Sequence, residues 1–159
     1  MSRPPTILCI DDDVLLLALR KALLESSDFK VFTANSGPAG LEIANREPIE
    51  VVILDYHMPG MDGGTVAKEL RRIRPDLAIL LSSGLHEIPE SLLAMVDGVV
   101  PKGSSSVALK KAIARVRVTR TRPFEQIPQK DKETTKHIEH PRGFARSKQS
   151  PPYRRKRAR

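Results

Sequence analysis

Short apolar runs alternate with helix-length segments along the first three-quarters of the chain. Ile7-Leu8-Cys9-Ile10 reads as a buried strand, and residues 14–24 have helical length, with Asp13 placed to cap their start. Val31-Phe32 marks a second strand, and residues 37–46 a short helix carrying Ala39, Leu41, Ile43 and Ala44. Val51-Val52-Ile53-Leu54 shows no polar alternation, as expected of a strand buried on both faces of a parallel sheet. Residues 65–73 space Val66, Leu70 and Ile73 for one apolar helix face. Ala78-Ile79-Leu80-Leu81 predicts a fourth strand, residues 89–94 a short helix with Pro89 in its first turn, and Val99-Val100 a fifth strand. Residues 104–118 predict a last helix with Val107, Leu109, Ile113 and Val116 along one side. Such regular alternation predicts an α/β fold, a doubly wound sheet with helices on both faces. Ligands of such sheets bind beyond the carboxyl ends of the strands, so chemistry is expected there.

The residues at those ends are polar. Strand one runs into Asp11-Asp12-Asp13, strand three into Asp55, strand four into Ser82-Ser83, and strand five stops just before Lys102. One aspartate there can be a helix cap, as Asp13 is. Further carboxylates at the same spot repel each other unless a cation sits between them. Asp11 and Asp12 facing Asp55 would make a hard-oxygen site suited to Mg²⁺, with positions left for water or phosphate. No glycine-rich loop follows strand one, which argues against a dinucleotide fold. Taken singly, Lys102 can be a solvated loop lysine, Ser83 a turn residue, and Asp55 the start of the turn before Pro59-Gly60. Their occurrence at successive strand ends favours a joint role.

These residues also carry a resemblance. Ile7 to Asp13, the run Val51-Val52-Ile53-Leu54-Asp55-Tyr56-His57-Met58-Pro59-Gly60-Met61-Asp62-Gly63, Leu81-Ser82-Ser83-Gly84 and Val100-Pro101-Lys102-Gly103 resemble the receiver domain of bacterial response regulators, over residues 5–118. The resemblance implies a flavodoxin-like five-stranded sheet of order 2-1-3-4-5. It implies that Asp55 is the phosphoacceptor, receiving a phosphoryl group from a sensor histidine kinase or a phosphotransfer protein. Asp12 would hold Mg²⁺ directly, Asp11 through a water, and the main-chain carbonyl of His57 would be a further ligand. Lys102 would pair with one phosphoryl oxygen and the Ser83 hydroxyl with another, drawing the following loop inward and signalling through protein contacts. The protein would then be no enzyme beyond self-catalysed phosphotransfer and dephosphorylation at Asp55.

The chain departs from that pattern in places. Relatives usually place Tyr or Phe three residues before the lysine, where this chain has Val99, so the aromatic part of the switch is missing. Many have Pro directly after the lysine, whereas here Pro101 precedes Lys102 and Gly103 follows it, so that cis peptide cannot form. The fourth helix is short and weakly amphipathic. His57 is read as an exposed loop residue, His86 as solvent-facing, and His137 and His140 as an incidental pair lacking a third ligand. Cys9 reads as an inert core thiol, and a single cysteine excludes an internal disulfide framework and suits a reducing compartment.

Charge divides the chain in two. The formal net charge of the 159 residues is +8. Residues 1–118 hold 14 Lys/Arg against 15 Asp/Glu, while residues 119–159 hold 13 against 4, so the tail carries all the excess. The tail lacks Leu, Val and Met and contains five prolines, which predicts a disordered segment after a folded domain of residues 1–118. It has no apolar periodicity for an effector domain. Its polybasic end from Tyr153 to Arg159 supports an alternative, a receiver-regulated nucleic-acid-binding protein with salt-sensitive phosphate contacts and no base readout. A solvated tail is the other outcome. Asp11-x-Asp13, Ser83 and Lys102 also loosely resemble a haloacid-dehalogenase-type phosphatase, but no acidic residue lies between Lys102 and Glu125 and Asp55 is left unexplained. No apolar run is long enough to span a membrane, nothing supplies an apolar anchor, and no secretory signal precedes the first strand, so a cytoplasmic location is expected.

Overall fold

The computed structural model describes residues 3–84 and 88–120. His86, His137, His140 and the tail beyond Arg120 therefore lie outside the described residues. Strands β1 (Thr6–Ile10), β2 (Lys30–Ala34), β3 (Val51–Asp55), β4 (Ala78–Ser83) and β5 (Gly98–Pro101) alternate with helices α1 (Val14–Glu25), α2 (Gly37–Arg46), α3 (Gly63–Ile73), α4 (Glu90–Leu93) and α5 (Ser106–Arg120). The strands form one parallel sheet in the order β2-β1-β3-β4-β5, the flavodoxin-like arrangement.

Why these segments fold as they do follows from burial. Every residue of β1, β3 and β4 is buried, as the absence of alternation requires for strands covered on both faces. Ile7, Cys9, Ile53 and Leu80 pack on one face with Leu17 and Leu24 of α1 and Leu109, Ile113 and Val116 of α5. Leu8, Ile10, Leu54 and Leu81 pack on the other with Ala44 of α2, Val66, Ala67 and Leu70 of α3, and Leu92 of α4. Each fully buried Leu or Ile stabilises the fold by roughly 2 kcal/mol. Cys9 is one of these core groups, and burial above all pushes its thiol up to about 12, so it stays protonated.

Caps set the helix starts. Asp13 accepts hydrogen bonds from the Leu15 and Leu16 amides at 3.0 Å each, and Ser36 and Asp62 cap α2 and α3. Three expectations need correction. Val107 is 55 % exposed rather than part of the buried side of α5, because it lies two residues from Leu109, about 200° around the helix. The helix expected over residues 89–94 is limited to Glu90–Leu93, with no side chain capping its start. Helix α5 runs two residues past Val118, held there by Arg120, whose guanidinium donates to Asp97 Oδ1 and to the Pro75 carbonyl at 2.8 Å each.

Candidate functional site

Parallel pairing places the ends of the strands together. In the register Asp55 stands beside Ser82 and Ser83 beside Pro101, while β1 lies on the other side of β3. Asp11, the first residue after β1, and Asp55, the last of β3, are fully buried, and Asp12 is exposed. One carboxylate oxygen from each of these three aspartates lies within 4.8 Å of the other two. Gly63 permits the close return of the chain beneath this site, since a side chain there would run into the Asp55 carbonyl.

Lys102 reaches into the cluster from the end of β5. Its Nζ lies 2.8 Å from Asp55 Oδ2 and 3.6 Å from Asp11 Oδ2. The approach to Asp55 is that of an ion pair rather than a well-directed hydrogen bond, and among the described residues neither Asp55 oxygen has a hydrogen-bond partner. Among the described residues the buried Ser83 Oγ is likewise without a hydrogen-bond partner. Partial burial alone would lower the Lys102 pKa, but the Asp55 and Asp11 carboxylates outweigh it and the value is raised. For Asp11, burial is the largest influence and raises its pKa, with Asp55 adding to it against the Asp13 amide, Lys102 and Arg20.

An open cleft of about 420 Å³ adjoins the carboxylates, lined by Asp12, Tyr56, His57, Met58, Pro59 and Asp62. Tyr56 and His57 meet edge to face with ring centres 4.6 Å apart. Val99 sits on β5 opposite Leu81 and is 38 % exposed, so the position where relatives place an aromatic holds a small side chain at the surface. Gly103 has φ 82°, a conformation closed to proline, so the loop after Lys102 is built on a different backbone from a Lys-Pro turn.

One participant escapes the sequence reading. Arg20 on α1 is 7 % exposed; its Nη1 donates to Asp11 Oδ2 at 3.3 Å and its Nη2 to Ser82 Oγ at 2.6 Å. The signal was a charged residue at the inward position between Leu17 and Leu24, the three buried residues of α1.

A cluster of hard-oxygen donors at the carboxyl end of a doubly wound sheet, with a lysine against a buried carboxylate, is an arrangement that could hold a metal ion. The response regulator receiver domain model matches residues 7–114, and the chain belongs to that family. Among curated proteins it is 35 % identical over 97 residues to the transcriptional regulatory protein GlrR of Escherichia coli strain K12, covering 61 % of this chain and 22 % of that one. The chain thus spans about a fifth of the length of that relative. Among solved structures, a response regulator receiver domain protein from Clostridium thermocellum aligns with TM-score 0.67 and 31 % identity, covering 73 % of this chain and 96 % of that one. The response regulator TrrA from Thermotoga maritima, solved in complex with Mg²⁺–BeF, aligns with TM-score 0.67 and 28 % identity over 70 % and 98 % of the two chains.

Proposed function

We propose that this chain is a phosphoacceptor signalling protein of a two-component phosphorelay, phosphorylated on Asp55. The observation that carries the reading is the buried Asp55 carboxylate with no hydrogen-bond partner, facing Lys102 at 2.8 Å and grouped with Asp11 and Asp12. A buried acceptor is left unpaired only at a cost of about 1–3 kcal/mol, which makes sense where an incoming group will use it.

In the proposed reaction an Asp55 carboxylate oxygen attacks the phosphorus of a phosphohistidine on a sensor histidine kinase or phosphotransfer protein. The new bond is O–P, the N–P bond breaks, and the imidazole leaves with its electron pair and takes up a proton. The donor set fits Mg²⁺, which Asp11, Asp12, Asp55 and the His57 main-chain carbonyl would hold. Bound there, Mg²⁺ would neutralise the charge that builds up as one anion approaches another. Lys102 is placed to move from its ion pair with Asp55 onto a phosphoryl oxygen. The Ser83 hydroxyl, buried and unpartnered, is placed to donate to another. That contact would draw the residues after β4 toward Asp55 and change the surface that a downstream protein reads. With Val99 in place of an aromatic, the rearrangement is limited to this loop.

The test is incubation with acetyl phosphate and Mg²⁺ beside Asp55→Ala, read on a phosphate-affinity gel. Wild type is expected to shift and the variant to stay unshifted. An unshifted wild type, under conditions that label another receiver domain, would make the chain a scaffold that has kept the fold and lost the chemistry.

A further inference from the structure

The phosphoryl chemistry above makes no use of the buried guanidinium of Arg20. Nothing in the packing of α1 calls for a charge at that place, because Leu17 and Leu24 on the same stripe are met by apolar neighbours. A guanidinium stays ionised at any ordinary pH, so burying it is tolerable only with partners that replace water. Its partners both belong to the candidate site. The fork bridges Asp11, just after β1, and Ser82 on β4, and so straddles β3, the strand that ends in Asp55.

We infer that Arg20 is a built-in counter-cation that competes with the divalent ion for Asp11 and thereby weakens the pocket's affinity for Mg²⁺. The inference rests on the reading of Asp11, Asp12 and Asp55 as the metal-binding group. Both oxygens of Asp11 are already engaged: Oδ1 accepts from the Asp13 amide at 3.1 Å, and Oδ2 faces Arg20 at 3.3 Å and Lys102 at 3.6 Å. With Lys102 alone the three carboxylates would leave a net charge of −2 for an arriving cation, and Arg20 halves it. At the effective dielectric of a partly buried site, one unit charge a few ångströms away changes an ion's affinity by about tenfold or more. The Ser82 hydroxyl acts as the second anchor, keeping the guanidinium under the carboxylates instead of letting it swing to solvent. Arg20 is thus a positioning residue, holding Asp11 in place when no metal is bound.

The experiment is calorimetric titration of Mg²⁺ into the full chain, for wild type, Arg20→Met and Arg20→Lys, with thermal melts of each in EDTA and in saturating Mg²⁺. Arg20→Met keeps most of the packing volume and drops the charge. It is expected to bind Mg²⁺ at least tenfold more tightly than wild type, and to gain more in Tm on adding the ion. Arg20→Lys keeps the charge and is expected to stay within about threefold of wild type. Arg20→Met unfolded in EDTA and folded in Mg²⁺ would support the inference equally, since the ion would have taken over the guanidinium's role. Unchanged or weaker Mg²⁺ binding by Arg20→Met would overturn it, as would a variant unfolded under both conditions, which would make Arg20 a structural brace. Absence of Mg²⁺ binding in all three proteins, with the fold intact, would instead sink the metal-site reading itself.

Discussion

The two ends of the sheet use the same kinds of charged residue for opposite purposes. At the amino ends of β4 and β5, every arm of Arg71 is occupied: it donates to the Met95 carbonyl at 2.7 Å, the Leu77 carbonyl at 2.5 Å and Asp97 Oδ2 at 2.6 Å. Asp97 in turn accepts from Arg120 and from the Ile79 amide. Arg74 satisfies the Ala44 and Ile49 carbonyls and pairs with both oxygens of Asp76. At the carboxyl ends, acceptors exceed donors: among the described residues both oxygens of Asp55 and the hydroxyl of Ser83 are buried without a hydrogen-bond partner, and Lys102 and Arg20 pair with Asp11 and Asp55 while Asp12 adds a third carboxylate. A closed network holds a fold together, whereas leftover acceptors mark where a ligand is expected. The difference is testable, because equivalent cuts at the two ends should change stability in opposite directions.

The largest effect is expected at the closed end. Arg71→Ala removes three hydrogen bonds at once, leaves two carbonyls short of a donor and strips Asp97 of a partner 2.6 Å away. It should cost about 3 kcal/mol in urea unfolding. Acetyl-phosphate labelling of the fraction still folded should be unchanged. The open end should respond in reverse. Asp55→Asn keeps the shape but removes one of two fully buried carboxylates that repel each other, so it should abolish labelling and raise stability by about 1 kcal/mol. A loss of stability as large as that of Arg71→Ala would erase the contrast between the ends.

How much of this was readable in the chain follows the same division. The strands and the start of α1 were legible because apolar runs and the Asp13 cap are local signals, whereas the strand order followed from the family resemblance. Asp11, Asp12, Asp55, Ser83 and Lys102 were legible as a group because a doubly wound sheet brings successive strand ends together. Arg20 was not: helical spacing puts it on the stripe of Leu17 and Leu24, but an arginine is ordinarily exposed, and its burial depends on partners 9 and 62 residues away. The end of α5 was missed for a related reason. Thr119 and Arg120 look like the start of the basic tail, but Arg120 belongs to the Asp97 network, 23 residues distant.

A smaller, pH-dependent effect probes the edge of the open end. Asp62 caps α3 by accepting from the Thr65 amide at 2.7 Å, and that hydrogen bond first of all holds its carboxyl below the usual range. A carboxyl depressed by folding adds stability above its unfolded pKa and loses it as the pH falls through the folded value. Asp62→Ala should therefore cost about 1 kcal/mol at neutral pH, with the gap to wild type closing below about pH 4. A gap of constant size down to pH 2 would assign the loss to helix propensity rather than to the charged cap.

The smallest effect separates the closed network from the tail. Two shortened chains, one ending at Val118 and one at Arg120, differ by a single turn-end whose long-range hydrogen bonds, among the described residues, are those of Arg120 to Asp97 and Pro75. That ion pair is about a third exposed on the arginine side, so its net worth is modest, about 0.5 kcal/mol. The chain ending at Arg120 should unfold at the same urea midpoint as the full chain, and the one ending at Val118 slightly earlier. The same pair bears on the basic residues beyond. If the full chain retains random-sequence DNA at low salt and the chain ending at Arg120 does not, the contact belongs to residues 121–159, and the near-neutral receiver domain contributes none of it. If both bind alike, the tail is not the source of the contact.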